Sequence, residues 1–313
     1  MKFKKMLIIG IDKHKLESEY WEKISSLAEQ VVNVSKNSPE IDKHISGVDC
    51  LLLDFGIEID KKFIENASEL KYIGILATAY DKVDISFANK KGIVVCNIPG
   101  YSTESVAEFV FAAILEHIRE LEKAKKQARE GNYSEVGFSA IELKNKIYGV
   151  FGAGRIGSRV AEIALGFGMN VRYWSRNRKK ELETKGIKYE DSDTLIPKCD
   201  FISAHFAKTE ETKDFFNAKR IQEIKKEAII VNTISMETYD ISALEKRLKN
   251  GDITFIFETD DINENIKRLL KYKNCIAYPS IAYVSKEARI AKQEIFIKNI
   301  ENFLKGSPIN KVN

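Results

Sequence analysis

The sequence predicts an α/β protein with two domains, each built on a parallel sheet that is covered by helices. Short apolar, β-branched runs alternate with amphipathic stretches, which is the pattern of repeated strand–helix–strand units. The alternation is interrupted once, by the turn-rich segment 97–103, and then restarts. The length of 313 residues also fits two domains, at about 100–200 residues each.

Each half of the chain contributes its own series of strands. In the first half, amphipathic stretches over residues 16–30 and 61–70 predict helices between the strands. The strands predicted before the interruption are residues 6–11, 31–34, 50–54, 72–76 and 93–96. Those predicted after it are residues 147–151, 170–174, 201–205, 228–232, 253–257 and 275–278.

Two long helices are predicted outside this alternation. The first covers about residues 104–129, is long enough to bridge two domains, and is followed by Gly131 as a stop signal. The second covers about residues 286–305 and ends at Gly306, with Pro308 just beyond it.

Composition excludes several classes of protein. Hydrophobic residues make up 44% and charged residues 31%, with a formal net charge of +4, so disorder is not the predicted state. No basic block predicts nucleic-acid binding, and no apolar run could span a membrane. The four cysteines are widely spaced, without a CxxC pair or a nearby histidine. We therefore predict no metal site and reduced, buried thiols in a cytoplasmic protein.

A glycine-rich loop follows the strand predicted at residues 147–151. Residues 152–157 read GAGRIG and open a helical pattern, so the GxGxxG spacing stands in the strand–turn–helix context that binds a dinucleotide. The first glycine permits the tight turn, the second lets the backbone approach a pyrophosphate, and the third lets the helix pack on the strand. The residues predicted to hold the pyrophosphate are Gly152, Gly154, Arg155, Ile156 and Gly157.

The residues directly after the next predicted strand determine whether such a fold prefers NAD or NADP. An NAD-specific fold places Asp or Glu there for the ribose 2′-hydroxyl, but this chain has Ser175, followed by Arg176 and Arg178. A hydroxyl and two guanidinium groups would bind a 2′-phosphate, which a carboxylate would repel. NADP(H) is therefore predicted over NAD(H). The alternative is that both arginines belong to a solvated turn.

Further segments resemble the D-isomer-specific 2-hydroxyacid dehydrogenase family, from about residue 70 to the C-terminus. Residues 77–84 (ATAYDKVD) resemble the family's loop for the substrate carboxylate. Residues 92–108 are similar to its interdomain crossover, above all in hydroxypyruvate/glyoxylate reductase-like members. Residues 231–233 (VNT) and 303–306 (FLKG) also match the family.

The resemblance implies a specific domain arrangement. A nucleotide-binding domain, residues 100–280, would be inserted into a discontinuous substrate domain formed by residues 1–99 and 281–313. Members of the family are usually homodimers joined through the inserted domain and the crossover helix. The residues implied in the substrate loop are Thr78, Ala79 and Tyr80, and those implied against the cofactor are Val106, His205 and Thr233.

The chain departs from the family at the catalytic positions. Family members use an Arg to hold the carboxylate of a 2-keto acid, a His to transfer the proton and a Glu to orient that His. Here the Arg position is Ser235 and the His position is Ser280. Glu264 falls at the Glu position by counting without gaps, although Asp260 and Asp261 leave the register open.

These replacements matter because hydride transfer to a carbonyl builds negative charge on its oxygen, which a cation and a proton donor must meet. Serine supplies neither near pH 7. We therefore predict that reduction of simple 2-keto acids is very slow or follows another mechanism. The side chains that could substitute are Tyr283, Tyr80, Tyr101, His205 and Lys208.

Three functional hypotheses follow. The first is an NAD(P)-dependent oxidoreductase with an atypical active site, acting on a small molecule other than a simple 2-keto acid. The second is a catalytically silent relative that binds the dinucleotide as a sensor or scaffold. The third is a non-redox enzyme that retains the nucleotide.

Overall fold

The computed structural model describes residues 2–313, which form two compact units. The first unit contains the chain up to Ser102 together with Ser285–Asn313, and the second contains Thr103–Val284. Each unit has one sheet, and every strand pair in both sheets is parallel. The predicted α/β fold class, with one unit inserted into the other, is confirmed.

The first unit has a five-stranded sheet in the order β2-β1-β3-β4-β5. Its core strand β3 is buried at every residue, as expected for a parallel strand covered on both faces. The strands are β1 Phe3–Ile9, β2 Ala28–Val34, β3 Cys50–Leu53, β4 Tyr72–Ile75 and β5 Val94–Cys96. The helices are α1 Ser18–Ser26, α2 Ile41–His44, α3 Lys61–Asn66, α4 Ile85–Lys90 and the C-terminal helix Lys286–Leu304.

Two helices of this unit are shorter than predicted. Helix α1 ends at Ser26, and Ala28 already pairs with Phe3 in the sheet. Residues 28–30, predicted as the end of this helix, belong instead to β2, because a ladder along β1 outweighs local helix propensity. Helix α3 ends at Asn66, where Ala67 leaves the helical conformation.

The second unit has a seven-stranded sheet in the order β12-β11-β10-β9-β6-β7-β8. The chain starts at β6, builds outward to β8, and then crosses back to β9 on the other side of β6. This reversal creates a switch point between β6 and β9, where ligands bind in open α/β sheets. The strands are β6 Ile147–Phe151, β7 Asn170–Trp174, β8 Lys188–Tyr189, β9 Phe201–Ala204, β10 Ala228–Asn232, β11 Ile253–Thr259 and β12 Cys275–Pro279.

The single long helix predicted over residues 104–129 is wrong, because the structure has two helices there. Glu120 between them adopts a left-handed conformation with φ 49°, and its carboxylate accepts a hydrogen bond from the Ser139 amide at 2.6 Å. The first helix is largely buried, whereas the second has no buried residue. The helices of this unit are α5 Thr103–Ile118, α6 Leu121–Arg129, α7 Arg155–Gly166, α8 Lys180–Glu183, α9 Ser192–Leu195, α10 Ala218–Glu223, α11 Ile241–Lys249 and α12 Glu264–Leu269.

All four cysteines are buried free thiols. Over residues 2–313, no helix is both long enough and apolar enough to cross a membrane.

Candidate functional site

The turn after β6 requires glycine at its first position. Gly152 has φ +97°, and a Cβ atom added there would lie 2.8 Å from the Phe206 nitrogen. The turn is fixed on both sides, since the Gly152 amide donates to the Trp174 carbonyl at 2.8 Å and the His205 amide donates to the Phe151 carbonyl at 2.7 Å. This turn therefore lies at the carboxyl ends of β6, β7 and β9.

The other two glycines have different roles. A Cβ atom on Gly157 would lie 2.0 Å from the Gly152 carbonyl oxygen, so only glycine lets α7 approach the turn this closely. At Gly154, by contrast, an added Cβ atom would meet no atom within 4 Å. Gly154 also precedes α7 without any side-chain cap. The amides of Arg155 and Ile156, in the first turn of α7, therefore receive no hydrogen bond from a capping side chain.

This loop fits the pyrophosphate of a dinucleotide. Uncapped amides at the start of a 12-residue helix offer hydrogen-bond donors and the positive end of the helix dipole to an anion. The space at Gly154 leaves room for the phosphate oxygens, and the lack of a Cβ at Gly152 permits the close approach of the neighbouring strand.

The predicted contacts to a 2′-phosphate lie in the turn after β7. Ser175 is half-buried directly after the strand, and Arg176 is exposed and donates to Glu211 at 2.5 Å. Arg178 is more firmly engaged, since it binds both carboxylate oxygens of Glu183, at 3.0 and 2.7 Å. Ser175 and Arg176 are thus better placed than Arg178 to meet a phosphate.

His205 stands at the end of β9, beside the glycine turn. Its Nε2 lies 2.8 Å from the Ser203 hydroxyl, and its Nδ1 is buried without a hydrogen-bond partner in the part of the chain described. Burial lowers the pKa of His205 to about 3, so the ring is neutral near pH 7. A neutral imidazole is not a proton donor of the kind that was predicted to be absent at Ser280.

Ser235 has a local structural role. It precedes a short 3-10 helix over Met236–Thr238, where its hydroxyl accepts a weak bond from the Glu237 amide at 3.4 Å. The ammonium of Lys208, the cation considered as a substitute, lies 2.9 Å from the Glu237 carboxylate. Lys208 is therefore engaged in an ion pair close to Ser235.

The remaining positions predicted to be catalytic lie after β11 and β12. Glu264 is the first residue of α12, its side chain is 85% exposed, and it pairs with Lys267 at 2.7 Å. Ser280 is half-buried directly after β12, and Tyr283 is 43% exposed in the turn that follows. Glu264 therefore forms an exposed ion pair with Lys267.

Glu258, which sequence reasoning missed, is bound to the loop that carries Ser280. Its carboxylate accepts a hydrogen bond from the Ala282 amide at 2.8 Å. Burial, with a contribution from Asp260, raises the pKa of Glu258, although the amides of Ala282 and Ile281 oppose the rise. The signal available in the sequence was a carboxylate ending the apolar run 253–257.

The predicted substrate loop belongs to the first unit, after β4. Thr78 donates to the Ile98 carbonyl at 3.2 Å, and its own carbonyl accepts from the buried Asn97 amide group at 2.7 Å. Asn97 is held in turn by Asn299 of the C-terminal helix, at 2.7 Å. The base of the loop is thus held by hydrogen bonds, while the side chains of Thr78, Ala79 and Tyr80 are exposed.

Most of the predicted cofactor and catalytic positions of the second unit share one edge of its sheet. Val106 differs, since it is buried in the first turn of α5. The positions at the carboxyl ends of the strands are Gly152 after β6, Ser175 after β7, His205 after β9, Thr233 after β10 and Ser280 after β12.

The comparisons with known proteins agree with this arrangement. Residues 111–282 match the family model described as D-isomer specific 2-hydroxyacid dehydrogenase, NAD binding domain. The glyoxylate reductase of Thermococcus litoralis is 39% identical over 279 residues, 85% of this chain and 84% of the relative. The hydroxypyruvate reductase of Blautia hydrogenotrophica is 30% identical and covers 94% of both chains.

Two solved structures with bound nicotinamide dinucleotides share the fold. An acyclic imino acid reductase in complex with NADPH and D-Arg is 29% identical, with a TM-score of 0.86, and the match covers 99% of this chain and 100% of that one. The D-lactate dehydrogenase of Aquifex aeolicus, complexed with NAD and lactic acid, is 26% identical, with a TM-score of 0.85 and 96% of each chain covered. Together with the glycine loop, these findings support a nicotinamide dinucleotide as cofactor. The chain belongs to the D-isomer-specific 2-hydroxyacid dehydrogenase family.

Proposed function

We propose that this chain is an NADP(H)-preferring oxidoreductase with an atypical active site, which reduces the protonated imine of a 2-oxo acid rather than the 2-oxo acid itself. The observation that carries the proposal is the pair Ser235 and Ser280, which stand where the family has its cation and its proton donor. The second unit would hold the nucleotide, and the first would present the substrate loop at Thr78, Ala79 and Tyr80.

The residues that would hold the dinucleotide are those of the glycine loop and of the turn after β7. The uncapped amides of Arg155, Ile156 and Gly157 would bind the pyrophosphate. Ser175 and Arg176 would bind the 2′-phosphate, since no carboxylate occupies position 175. When bound, this cofactor supplies or accepts the hydride.

An iminium group suits a site that lacks both a cation and an imidazole. A carbonyl oxygen becomes an anion as its carbon accepts a hydride, so it needs positive charge and a proton nearby. An iminium nitrogen already carries its proton and its positive charge, and the same step turns it into a neutral amine. Ser235 and Ser280 then have no developing anion to stabilise at the reacting carbon.

One relative supports this choice of substrate class. The solved structure at 29% identity and 99% coverage of this chain is described as an acyclic imino acid reductase and contains NADPH. The named glyoxylate reductases among the relatives instead support carbonyl reduction. The two substrate classes can be separated by experiment.

The test follows NADPH consumption with glyoxylate and pyruvate, each with and without ammonia or methylamine, which form the corresponding imines in solution. We expect turnover that depends on the amine and is slow without it. The matched control is the Thermococcus litoralis relative, assayed with the same panel. Equal rates with and without amine would contradict the imine proposal, and no consumption with any pair would contradict oxidoreductase function.

Three further proposals concern the oligomeric state, the cellular location and the binding partner of the protein. Homodimer formation is supported by apolar residues of the second unit that are strongly exposed, among them Tyr133 and Val136. A cytoplasmic location is supported by the four buried free thiols. A small molecule remains the proposed partner, rather than nucleic acid or a membrane.

A further inference from the structure

The second unit has a groove at the edge of its sheet that lies opposite to the glycine loop. This amino-edge groove lies where β6, β7 and β8 begin. Its volume is about 320 Å³, which is within the range of sites that bind small molecules. Strand β6 has five residues between the groove and the glycine turn, or roughly 15 Å at about 3.3 Å per residue. The groove is therefore separate from the dinucleotide site.

Two positively charged side chains are neighbours on the wall of this groove. Arg172 of β7 and Lys188 of β8 are partners in the register of the sheet, and both line the groove. Neighbouring strands lie about 4.8 Å apart, and registered residues of a parallel pair extend from the same face. The two positive charges consequently repel each other, and such a pair is destabilising unless an anion lies nearby.

The protein supplies only part of the negative charge that these two cations need. Arg172 donates to the Glu190 carboxylate at 2.6 Å, but the same carboxylate also pairs with Lys198. Lys188 is exposed, and over residues 2–313 no carboxylate oxygen lies within 4.0 Å of its ammonium nitrogen. Three positive charges thus stand against one carboxylate, which leaves the groove with an excess of positive charge.

Apolar side chains line the groove next to these cations. Met169 and Val171 are buried, whereas Leu165 of α7 is 37% exposed, and all three line the groove. A site that combines a few charged groups with an apolar wall is typical of small-molecule sites. The chemistry of the groove therefore suits a ligand with an anionic group and an apolar body.

We infer that the amino-edge groove is a binding site for a phosphate monoester with a small apolar group. A phosphate monoester carries a charge of about −1.5 to −2 near pH 7, so it offsets the positive charge of both Arg172 and Lys188, whereas a carboxylate offsets only one. The Arg172 guanidinium has more donors than the nitrogen that binds Glu190, and the Lys188 ammonium binds a phosphate as a point charge. The apolar group contacts Leu165. This site is independent of the proposed reaction, since it lies at the other edge of the sheet.

The test titrates phenyl phosphate into the NADPH-loaded protein by calorimetry, so that the glycine loop is already filled. We expect Lys188→Met to weaken phenyl phosphate binding about tenfold or more, the effect of losing one charge-assisted hydrogen bond. Lys188→Arg should bind within about threefold of the wild type, because the cation is kept. Leu165→Asn should weaken phenyl phosphate binding about threefold or more and leave the binding of inorganic phosphate unchanged.

The matched control is Lys185→Met, in the turn before β8, where the lysine is 52% exposed and already pairs with Glu162. It should leave phenyl phosphate binding unchanged. Benzoate, a monoanion with the same ring, should bind the wild type about tenfold more weakly than phenyl phosphate. Phenyl phosphate binding that is absent from the wild type, or equal in the wild type and in Lys188→Met, would overturn the inference. Benzoate binding as tight as that of phenyl phosphate would overturn the assignment to a phosphate monoester.

Discussion

The Glu258 carboxylate accepts a hydrogen bond from the Ala282 backbone amide at 2.8 Å, and this contact anchors the loop that carries Ser280 and Tyr283. Ala282 also makes a second contact, because its carbonyl accepts a hydrogen bond from the Ser105 hydroxyl at 2.7 Å. The end of β11 and the start of α5 together fix the segment in which the family has its histidine. Glu258 is therefore a positioning residue for this loop.

The first prediction concerns stability against pH. Because burial raises the pKa of Glu258 above its ordinary value of 4.5, the folded state binds this proton more tightly than the unfolded state. The resulting stabilisation is complete below pH 4.5 and is lost as the pH rises through the raised pKa. Glu258→Gln keeps an acceptor for the Ala282 amide without the charge, so we expect a smaller loss of stability with rising pH.

The measurement is urea unfolding of the wild type and Glu258→Gln at several pH values. At pH 8 we expect the variant to be at least as stable as the wild type, because it buries no charge at this position. Glu264→Gln is the control, since that side chain is 85% exposed and should leave the pH dependence unchanged. Parallel pH curves for the wild type and Glu258→Gln would contradict the assignment.

The second prediction separates the roles of the loop glycines. Gly157→Ala should destabilise the second unit by about 1–3 kcal/mol, since its Cβ would lie 2.0 Å from the Gly152 carbonyl oxygen. Gly154→Ala meets no atom within 4 Å and should change the free energy of unfolding by less than about 0.5 kcal/mol. It should nevertheless weaken NADPH binding about tenfold or more, because the methyl group occupies space that the pyrophosphate needs.

The control for this series is Gly166→Ala, in the same helix and also without an atom within 4 Å of the added Cβ. It should raise stability by up to about 1 kcal/mol and leave NADPH binding unchanged. Thermal unfolding and fluorescence titration measure the two effects. If Gly154→Ala bound NADPH as tightly as the wild type, the pyrophosphate would not lie at this loop.

The sequence was sufficient for features that depend on neighbours in the chain. The apolar runs gave β3 and β10, both buried along their full length, and the spacing of the glycines predicted a turn that φ +97° at Gly152 requires. The break at Glu120 was not visible, because its carboxylate is held by Ser139, nineteen residues away. Local periodicity contains no information about such a contact.

Contacts between residues that are distant in the chain also limited the prediction of the site. Ser235 and Ser280 could be read from their motifs, but Glu258 gains importance only because Ala282 lies beside it, 24 residues later. Side chains that act through distant partners are thus the ones that pattern reasoning misses.

The third prediction concerns cofactor preference. Arg176 is exposed and pairs with Glu211, an equally exposed residue, so its guanidinium can be released to a 2′-phosphate at little cost. We expect Arg176→Ala to weaken NADPH binding about tenfold and to leave NADH binding unchanged. Arg178→Ala should affect the preference less, because Glu183 already holds that guanidinium through both oxygens. Tighter binding of NADH than of NADPH to the wild type would reject the preference.

The fourth prediction concerns assembly. Tyr133 and Val136 are 84% and 79% exposed in the segment after α6, and apolar side chains exposed to this extent are typical of interfaces. We expect the wild type to be a dimer by light scattering and the double variant Tyr133→Ser, Val136→Ser to be a monomer. Ile290→Ser, at another partly exposed apolar position, should remain dimeric. A monomeric wild type at all concentrations would contradict the prediction.

The fifth prediction restores the family's catalytic pair. Ser235 is exposed and its capping bond is long, at 3.4 Å, so Ser235→Arg should fold with little loss of stability. Combined with Ser280→His, it should raise amine-independent glyoxylate reduction by about 10²-fold or more, the contribution of a positioned acid–base group. Each single variant should gain far less, because the two groups act as a unit.

The double variant should also lose activity on imines, because a guanidinium and a protonated imidazole beside the reacting carbon disfavour the positive charge of the iminium group. NADPH consumption with glyoxylate, measured with and without methylamine, reports both changes in one assay. NADPH binding serves as the control, since neither position belongs to the glycine loop. A double variant that gained carbonyl reduction while keeping its full imine activity would show that positive charge at 235 and 280 does not select between the two substrates.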